Sequence, residues 1–348
     1  MKSFGYAALA AGVELTPYHF ERREPGPGDV VLDILYCGIC HSDLHFINND
    51  WGYSRYPLVP GHEIVGRVRS VGSDVTKFGV GDLAAIGCLI DSCRTCPACR
   101  AGEEQACVEG PTPTYGGVER GVRMPTYGGY SVDYVVREEF ALTVPAALDP
   151  SAAAPLLCAG ITTFSPLRHW NVAAGDRVGV VGLGGLGHMA VKLAAAMGAE
   201  VVLLTTSRAK EADARRLGAH DVVFSDDKAQ LRTHRGSLSF VLDTVSATHD
   251  INAELSLVAR DGTLCLVGMP DAPTPIAASA LVIGRKQLAG SSIGGIVETQ
   301  EMLDFCAEHG IAADVEVVAI TDVQRAFERM ERGQVRYRSV IDVATLQA

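Results

Sequence analysis

One stretch restricts the fold more than any other: RVGVVGLGGLGHMAVKLAAAMGAEVVLLTT, residues 177–206. A short apolar run leads into Gly182-Leu183-Gly184-Gly185-Leu186-Gly187, an alanine-rich segment follows, and a second apolar run closes the unit. Two such runs joined by a helix-compatible segment predict parallel strands with a right-handed crossover. The glycines allow the backbone at the helix N-terminus to approach a pyrophosphate, so the motif predicts a dinucleotide site. Further apolar runs, DVVFS, SFVLDTV, GTLCLVG and QLAGSS, extend the pattern into a doubly wound α/β domain.

The first half reads differently. DVVLDILYCG, HEIVGRVRSVG, GDLAAIG and YSVDYVV are short extended runs broken by glycine and proline, the pattern of a β-rich, barrel-like domain with functional loops. With 348 residues, 47% hydrophobic, the chain can bury two cores. The expected division is a β-rich domain over 1–154, a nucleotide domain over 155–292, and a segment over 293–348. That last segment carries ETQEMLDFCAEHG and a strand-helix-strand ending in VRYRSVID, and it is expected to return to the first domain. A formal net charge of -11 disfavours nucleic acid or an anionic membrane as partner. No signal-like segment leads the chain and no apolar run suits a bilayer span, which predicts a soluble, cytoplasmic protein.

In such a compartment ten cysteines are metal ligands or buried apolar fillers before they are disulfides. Cys93, Cys96, Cys99 and Cys107 form C-x2-C-x2-C-x7-C. Four thiolates so spaced can close a tetrahedron around Zn²⁺ and leave no open position, which makes the site structural. An iron-sulfur ligand set is the alternative, although the last gap exceeds the ferredoxin pattern. A second, dispersed set is Cys40 in GICHSDLH, His62-Glu63 in PGHEIVG, and Cys158 in APLLCAGITT. Two thiolates and one imidazole on Zn²⁺ leave a fourth position for water or substrate, the description of a catalytic zinc.

Dinucleotide folds that take NAD place a carboxylate about 20 residues beyond the glycines. Here the second strand ends in Thr205, Thr206, Ser207, Arg208 and, two residues on, Lys210. Hydroxyls can donate to a 2′-phosphate that an aspartate would repel, and arginine suits multidentate phosphate recognition. The cofactor expected is therefore NADP(H).

Taken with CGICHSDLH, VPGHEIVG, DSCRTCPACRAGEEQAC, APLLCAGITTFSPLRHW, VGLGGLGHMAVKLA, GSSIGG and VRYRSVID, the chain resembles the zinc-dependent medium-chain alcohol dehydrogenases, in their cinnamyl alcohol dehydrogenase-type branch. The resemblance implies a GroES-like catalytic domain, a Rossmann domain, a cleft between them, two zinc ions per chain and commonly a homodimer. It puts the catalytic zinc on Cys40, His62 and Cys158, with Glu63 able to approach the metal and Asp43 orienting the histidine. It routes a proton from Ser42 through the cofactor ribose to His45 or His41, and takes an aldehyde or primary alcohol as substrate.

The same resemblance places Thr162, Val267, Gly268, Ser291, Ser292 and Ile293 near the cofactor, and sends Arg338 to its phosphates. Trp51, Leu89, Tyr115 and Ile293 would line an apolar pocket for aromatic or medium-chain aliphatic aldehydes. The 111–131 segment departs from the family around VERGVRM, near the pocket entrance, so no single substrate is named. Two other readings stand: an NADPH-dependent reductase of a conjugated C=C or iminium bond, and a catalytically silent NADP(H)-binding zinc protein.

Overall fold

The computed structural model describes residues 1–270 and 273–346. The chain divides into two compact units, Met1–Cys158 with Gly294–Ala348, and Ala159–Ile293. The boundaries fall after Cys158 and Ile293 rather than after residues 154 and 292. The turn Ala154–Leu157 is buried against strands Asp29–Gly38, Ile64–Val71 and Leu83–Ile86, which keeps it and Cys158 in the first unit.

The first unit is built around Asp29–Gly38. Along one side this strand pairs antiparallel with Ile64–Val71; along the other it pairs first with Asp133–Arg137 and then with Arg338–Asp342. Val30, Leu32 and Cys37 are fully buried. A strand paired on both sides is mostly apolar, and Asp33 is its one exposed residue. The sheet continues through Leu83–Ile86 to Leu142–Thr143 on one side, and through the parallel pair Arg338–Asp342 and Val315–Ala319 on the other. The strand-helix-strand read from the sequence tail is thus Val315–Ala319, Val323–Glu331 and Arg338–Asp342.

The second unit is a six-stranded parallel sheet in the order Asp221–Phe224, Glu200–Thr205, Arg177–Val181, Leu238–Asp243, Val258–Leu266, Gln287–Gly290. All six apolar runs seen in the sequence are strands of this sheet. Its order is that of a doubly wound dinucleotide fold, with the reversal between Arg177–Val181 and Leu238–Asp243, where such folds bind ligands. Val202, Val241, Leu255 and Leu264 are fully buried in its core. Among the described residues no helix is long and apolar enough to cross a membrane.

Candidate active site

The central strand of the first unit delivers the first metal-capable residue. Beyond Gly38 the chain turns at Cys40, which is extended and caps the helix His41–Asn48. Asp43, at the third helical position, accepts from the Cys40 N–H at 2.9 Å. Asp43 is fully buried, and its carboxylate also accepts from the Gly61 N–H at 3.0 Å and the Tyr130 hydroxyl at 3.1 Å. The same carboxylate stands 3.4 Å from His62 Nδ1. One side chain therefore fixes two chain segments and the histidine between them, and turns the other imidazole nitrogen into an available donor.

Cys40, His62, Glu63 and Cys158 are all buried and offer ligand atoms within 4.8 Å of one another. The sulfurs of Cys40 and Cys158 are 3.9 Å apart. A tetrahedral ion with Zn–S bonds of about 2.3 Å requires sulfurs about 3.8 Å apart, so the pair is spaced for one ion. Glu63 is fully buried and bonded to the guanidinium of Arg338, itself 5% exposed. Burial pushes the Glu63 carboxyl up to about 8, against the pull of Arg338. Its Oε2 is buried without a hydrogen-bond partner, a donor that a cation would complete. A Cβ on Gly38 would lie 1.9 Å from that oxygen, so only glycine leaves room for the acid.

Around this cluster the structure adds residues that the sequence did not point to. Cys88, at the end of the apolar run LAAIGC, interacts with Cys158 and His62. The ring of Tyr115 stacks 5.6 Å from His62; Phe46 then meets Tyr115 at 5.0 Å and Trp51 at 5.2 Å. Two of the expected pocket residues, Trp51 and Tyr115, are thus joined through Phe46, while Leu89 is buried in Leu89–Asp91. The Ser42 hydroxyl is 3.7 Å from Cys40 Sγ. His45 is half-buried and its Nδ1 is paired with Asp50 at 2.8 Å; His41 is exposed.

The four-cysteine loop forms a second cluster within the same 4.8 Å limit. Cys93 and Cys99 sulfurs are 3.8 Å apart, and those of Cys96 and Cys99 3.4 Å. Backbone N–H groups of Cys93, Cys96 and Cys99 donate to the sulfurs of Cys107, Cys93 and Cys96. The N–H groups of Thr95 and Cys96 draw the Cys93 thiol down to about 6. Sulfurs this close suit one tetrahedral ion; a multi-iron cluster would hold them farther apart, which disposes of that alternative.

In the second unit, Gly182 has φ +85°, and a Cβ on Gly187 would lie 2.1 Å from the Gly182 carbonyl oxygen. Gly184 has open space where a Cβ would be, and with Gly185 and Leu186 it forms the turn itself. Such a turn fits a pyrophosphate. Thr205 ends the second strand, its hydroxyl accepting from the Ser207 N–H at 3.1 Å, with Thr206 exposed beside it. Lys210 Nζ donates to the Leu183 carbonyl at 2.8 Å, and so reaches the glycine turn. Arg208 instead pairs through both guanidinium nitrogens with Asp226 at 3.0 and 3.1 Å, over the ring of Phe224. Thr162 is buried in helix Ala159–His169. Val267 and Gly268 follow the fifth strand; Ser291, Ser292 and Ile293 follow the sixth. Ile293 has φ +43°, a conformation that β-branched residues rarely adopt and that tends to mark functional positions.

Residues 26–146 match the alcohol dehydrogenase GroES-like domain, and residues 185–308 match the family described as zinc-binding dehydrogenase. The NADP-dependent alcohol dehydrogenase C of Mycobacterium bovis is 50% identical over 98% of both chains. The chain belongs to the zinc-binding dehydrogenases. Its place within them is the cinnamyl alcohol dehydrogenase-type branch. The aldehyde reductase YahK of Escherichia coli is 50% identical over 99% of both chains. The solved cinnamyl alcohol dehydrogenase of Sorghum bicolor superposes with a TM-score of 0.97 at 45% identity, covering 100% of this chain and 99% of its own.

Proposed function

We propose that this zinc-binding dehydrogenase interconverts aldehydes and primary alcohols with NADP(H), on aromatic or medium-chain aliphatic substrates. The observation that carries the reading is the buried Cys40–His62–Cys158 donor set, with its sulfurs at the spacing of one tetrahedral ion. Zinc in that set would supply Lewis-acid polarisation of a carbonyl toward hydride. A second zinc would sit in the four-cysteine loop and act on stability alone.

The chain's own residues divide the remaining work. Asp43 holds the His62 ring and the Cys40 turn in one geometry. The Ser42 hydroxyl both accepts and donates, so it is the first carrier of the proton that leaves an alcohol or reaches a nascent one. His45, half-buried three residues on along the same helix, is the exchange point toward solvent, since an imidazole can both take up and release a proton. Trp51, Phe46 and Tyr115, packed edge to face, supply an apolar aromatic lining that suits an aromatic aldehyde. Arg338 is assigned to Glu63 rather than to the cofactor phosphates, because its guanidinium is buried on that carboxylate.

On the cofactor, the turn Gly182–Gly187 takes the pyrophosphate. Thr205, Thr206 and Ser207 donate to the 2′-phosphate, with Lys210 beside the turn. Arg208 and Asp226 are both exposed, and an exposed pair yields readily to a phosphate. The protein is further read as cytoplasmic and homodimeric. The dimer reading is supported by Gln287–Gly290, which ends its sheet, and by Val282 and Ile283 just before it, 76% and 75% exposed.

The test is kcat/KM for benzaldehyde, cinnamaldehyde and hexanal with NADPH and NADH, alongside metal analysis. Carbonyl reduction with NADPH strongly preferred and two zinc ions per chain is the expected result. Reduction of the cinnamaldehyde C=C bond, or cofactor binding without turnover, would overturn it in favour of one of the other two readings.

A further inference from the structure

In the second unit the strand Leu238–Asp243 ends on a carboxylate that the reading above does not use. Asp243 is 2% exposed. Its Oδ2 lies 2.9 Å from His249 Nε2, and Glu254 Oε1, on the helix Ile251–Leu257, lies 3.1 Å from the same nitrogen. His249 Nδ1 faces the Ala247 carbonyl at 2.8 Å. A carbonyl only accepts, so Nδ1 carries a proton, and Nε2 meets the two carboxylates as the second N–H of an imidazolium. Burial raises the carboxyls of Asp243 and Glu254, and the Glu254 bond raises His249 to about 9, so the charged imidazole is the form present near neutrality.

The segment that this histidine ties down, Thr244 to Asp250, carries the floor of the glycine turn. Thr244 donates through both N–H and hydroxyl to the Val181 carbonyl, at 3.1 and 2.7 Å. Its hydroxyl oxygen would lie 3.2 Å from a Cβ on either Gly182 or Gly187. Val245 Cγ2 would lie 2.8 Å from a Cβ on Gly182, and the Val245 carbonyl oxygen 2.3 Å from a Cβ on Gly268. The Val245 N–H is itself held by Asp243 Oδ1 at 2.9 Å. Two residues of this segment therefore touch the first and last glycines of the pyrophosphate turn and Gly268.

We propose that His249 is a positioning residue for the cofactor: by bridging Asp243, Ala247 and Glu254 it holds Thr244 and Val245 against Gly182, Gly187 and Gly268, and so sets the affinity for NADP(H). The inference rests on the proposed cofactor site. Without the imidazole, two buried carboxylates face each other with no cation between them, and the segment carrying Val245 must shift to let water reach them.

The experiment is the dissociation constant of NADPH by fluorescence titration of the purified zinc-loaded enzyme, with kcat and KM for an aldehyde. His249→Ala is compared with His249→Gln, which can donate to the carboxylates, and His249→Asn, which can donate to Ala247. His249→Ala is expected to weaken NADPH by about two- to thirtyfold, the range of residues that act through packed neighbours, with kcat within about twofold of wild type. His249→Gln should recover most of the loss and His249→Asn less. Unchanged NADPH affinity in a folded His249→Ala protein overturns the proposal, as does a fall in kcat alone. A third equivalent of metal, present in wild type and lost in His249→Ala, would replace the clamp by an ion site and overturn it too. Failure of wild type to bind NADPH would instead refute the cofactor reading itself. Should His249→Ala not fold, His249→Gln and His249→Asn decide: equal NADPH affinity in both counts against the clamp.

Discussion

Replacing Arg338 by leucine tests the metal centre through its least exposed cation. Arg338 and Glu63 are 5% and 0% exposed, and the guanidinium is bonded directly to the carboxylate. Removing one member of a buried pair typically costs about 3–5 kcal/mol, because the other charge stays buried and uncompensated. In a unit of this size each kcal/mol moves Tm by about 2–4 °C, so Arg338→Leu should lower Tm by about 6–20 °C. A bound zinc ion leaves a positive charge beside Glu63, which places the zinc-loaded enzyme at the low end of that range and the chelated protein at the high end. Glu63→Gln in the same chain removes the orphaned charge and should restore much of the loss. The assay is thermal unfolding with and without chelator, with NADPH titration of each variant. A change under about 2 °C in both metal states would refute the reasoning. If NADPH affinity fell while Tm held, Arg338 would belong to the cofactor phosphates after all.

Three further outcomes are expected. Thr205→Asp should raise KM for NADPH and lower it for NADH, since a carboxylate at the end of the second strand repels the 2′-phosphate and suits a ribose; parallel changes in both would count against the assignment. Ser42→Ala should lower kcat by about 10²–10⁴-fold with two zinc ions retained, and full turnover would remove Ser42 from the proton route. Cys93→Ser should bring zinc analysis from two ions per chain to one and lower Tm, and a variant that kept both ions would show that the loop does not need all four thiolates.

The second unit was legible because the inner strands of its sheet carry short apolar runs set off by glycine or a helical segment, with Val178, Val180, Val201, Val202, Leu203, Val241 and Leu242 all fully buried. The four-cysteine loop was legible for a related reason, since its donors lie within one turn-rich segment. Cys40, His62 and Cys158 are far apart in the chain, and individually they look like ordinary buried residues; only the joint pattern picked them out. The Glu63–Arg338 bond spans 275 positions and left no local mark. Cys88 escaped because a cysteine ending an apolar stretch reads as core, and Phe46 because an aromatic next to Ile47 in a short helix reads the same way. His249 was passed over for the same reason that Asp243 was: DTVSATH looks like a strand running into a polar loop. An acid closing an apolar parallel strand, followed by histidine and then glutamate on the next helix, was the available signal.

The place of Arg338–Asp342 in its sheet also bears on how the protein is made. The second unit, Ala159–Ile293, is one uninterrupted stretch, and its sheet can form as soon as that stretch has left the ribosome. The first unit begins to emerge earlier yet must finish later. Its central strand waits with one edge partly bare until residues 338–342 arrive, and the same residues bring the cation that neutralises Glu63. Cysteines at positions 40 and 158 are therefore translated long before the site that shields them is closed, and a stalled chain would expose these thiols to oxidants beside an unpaired strand edge.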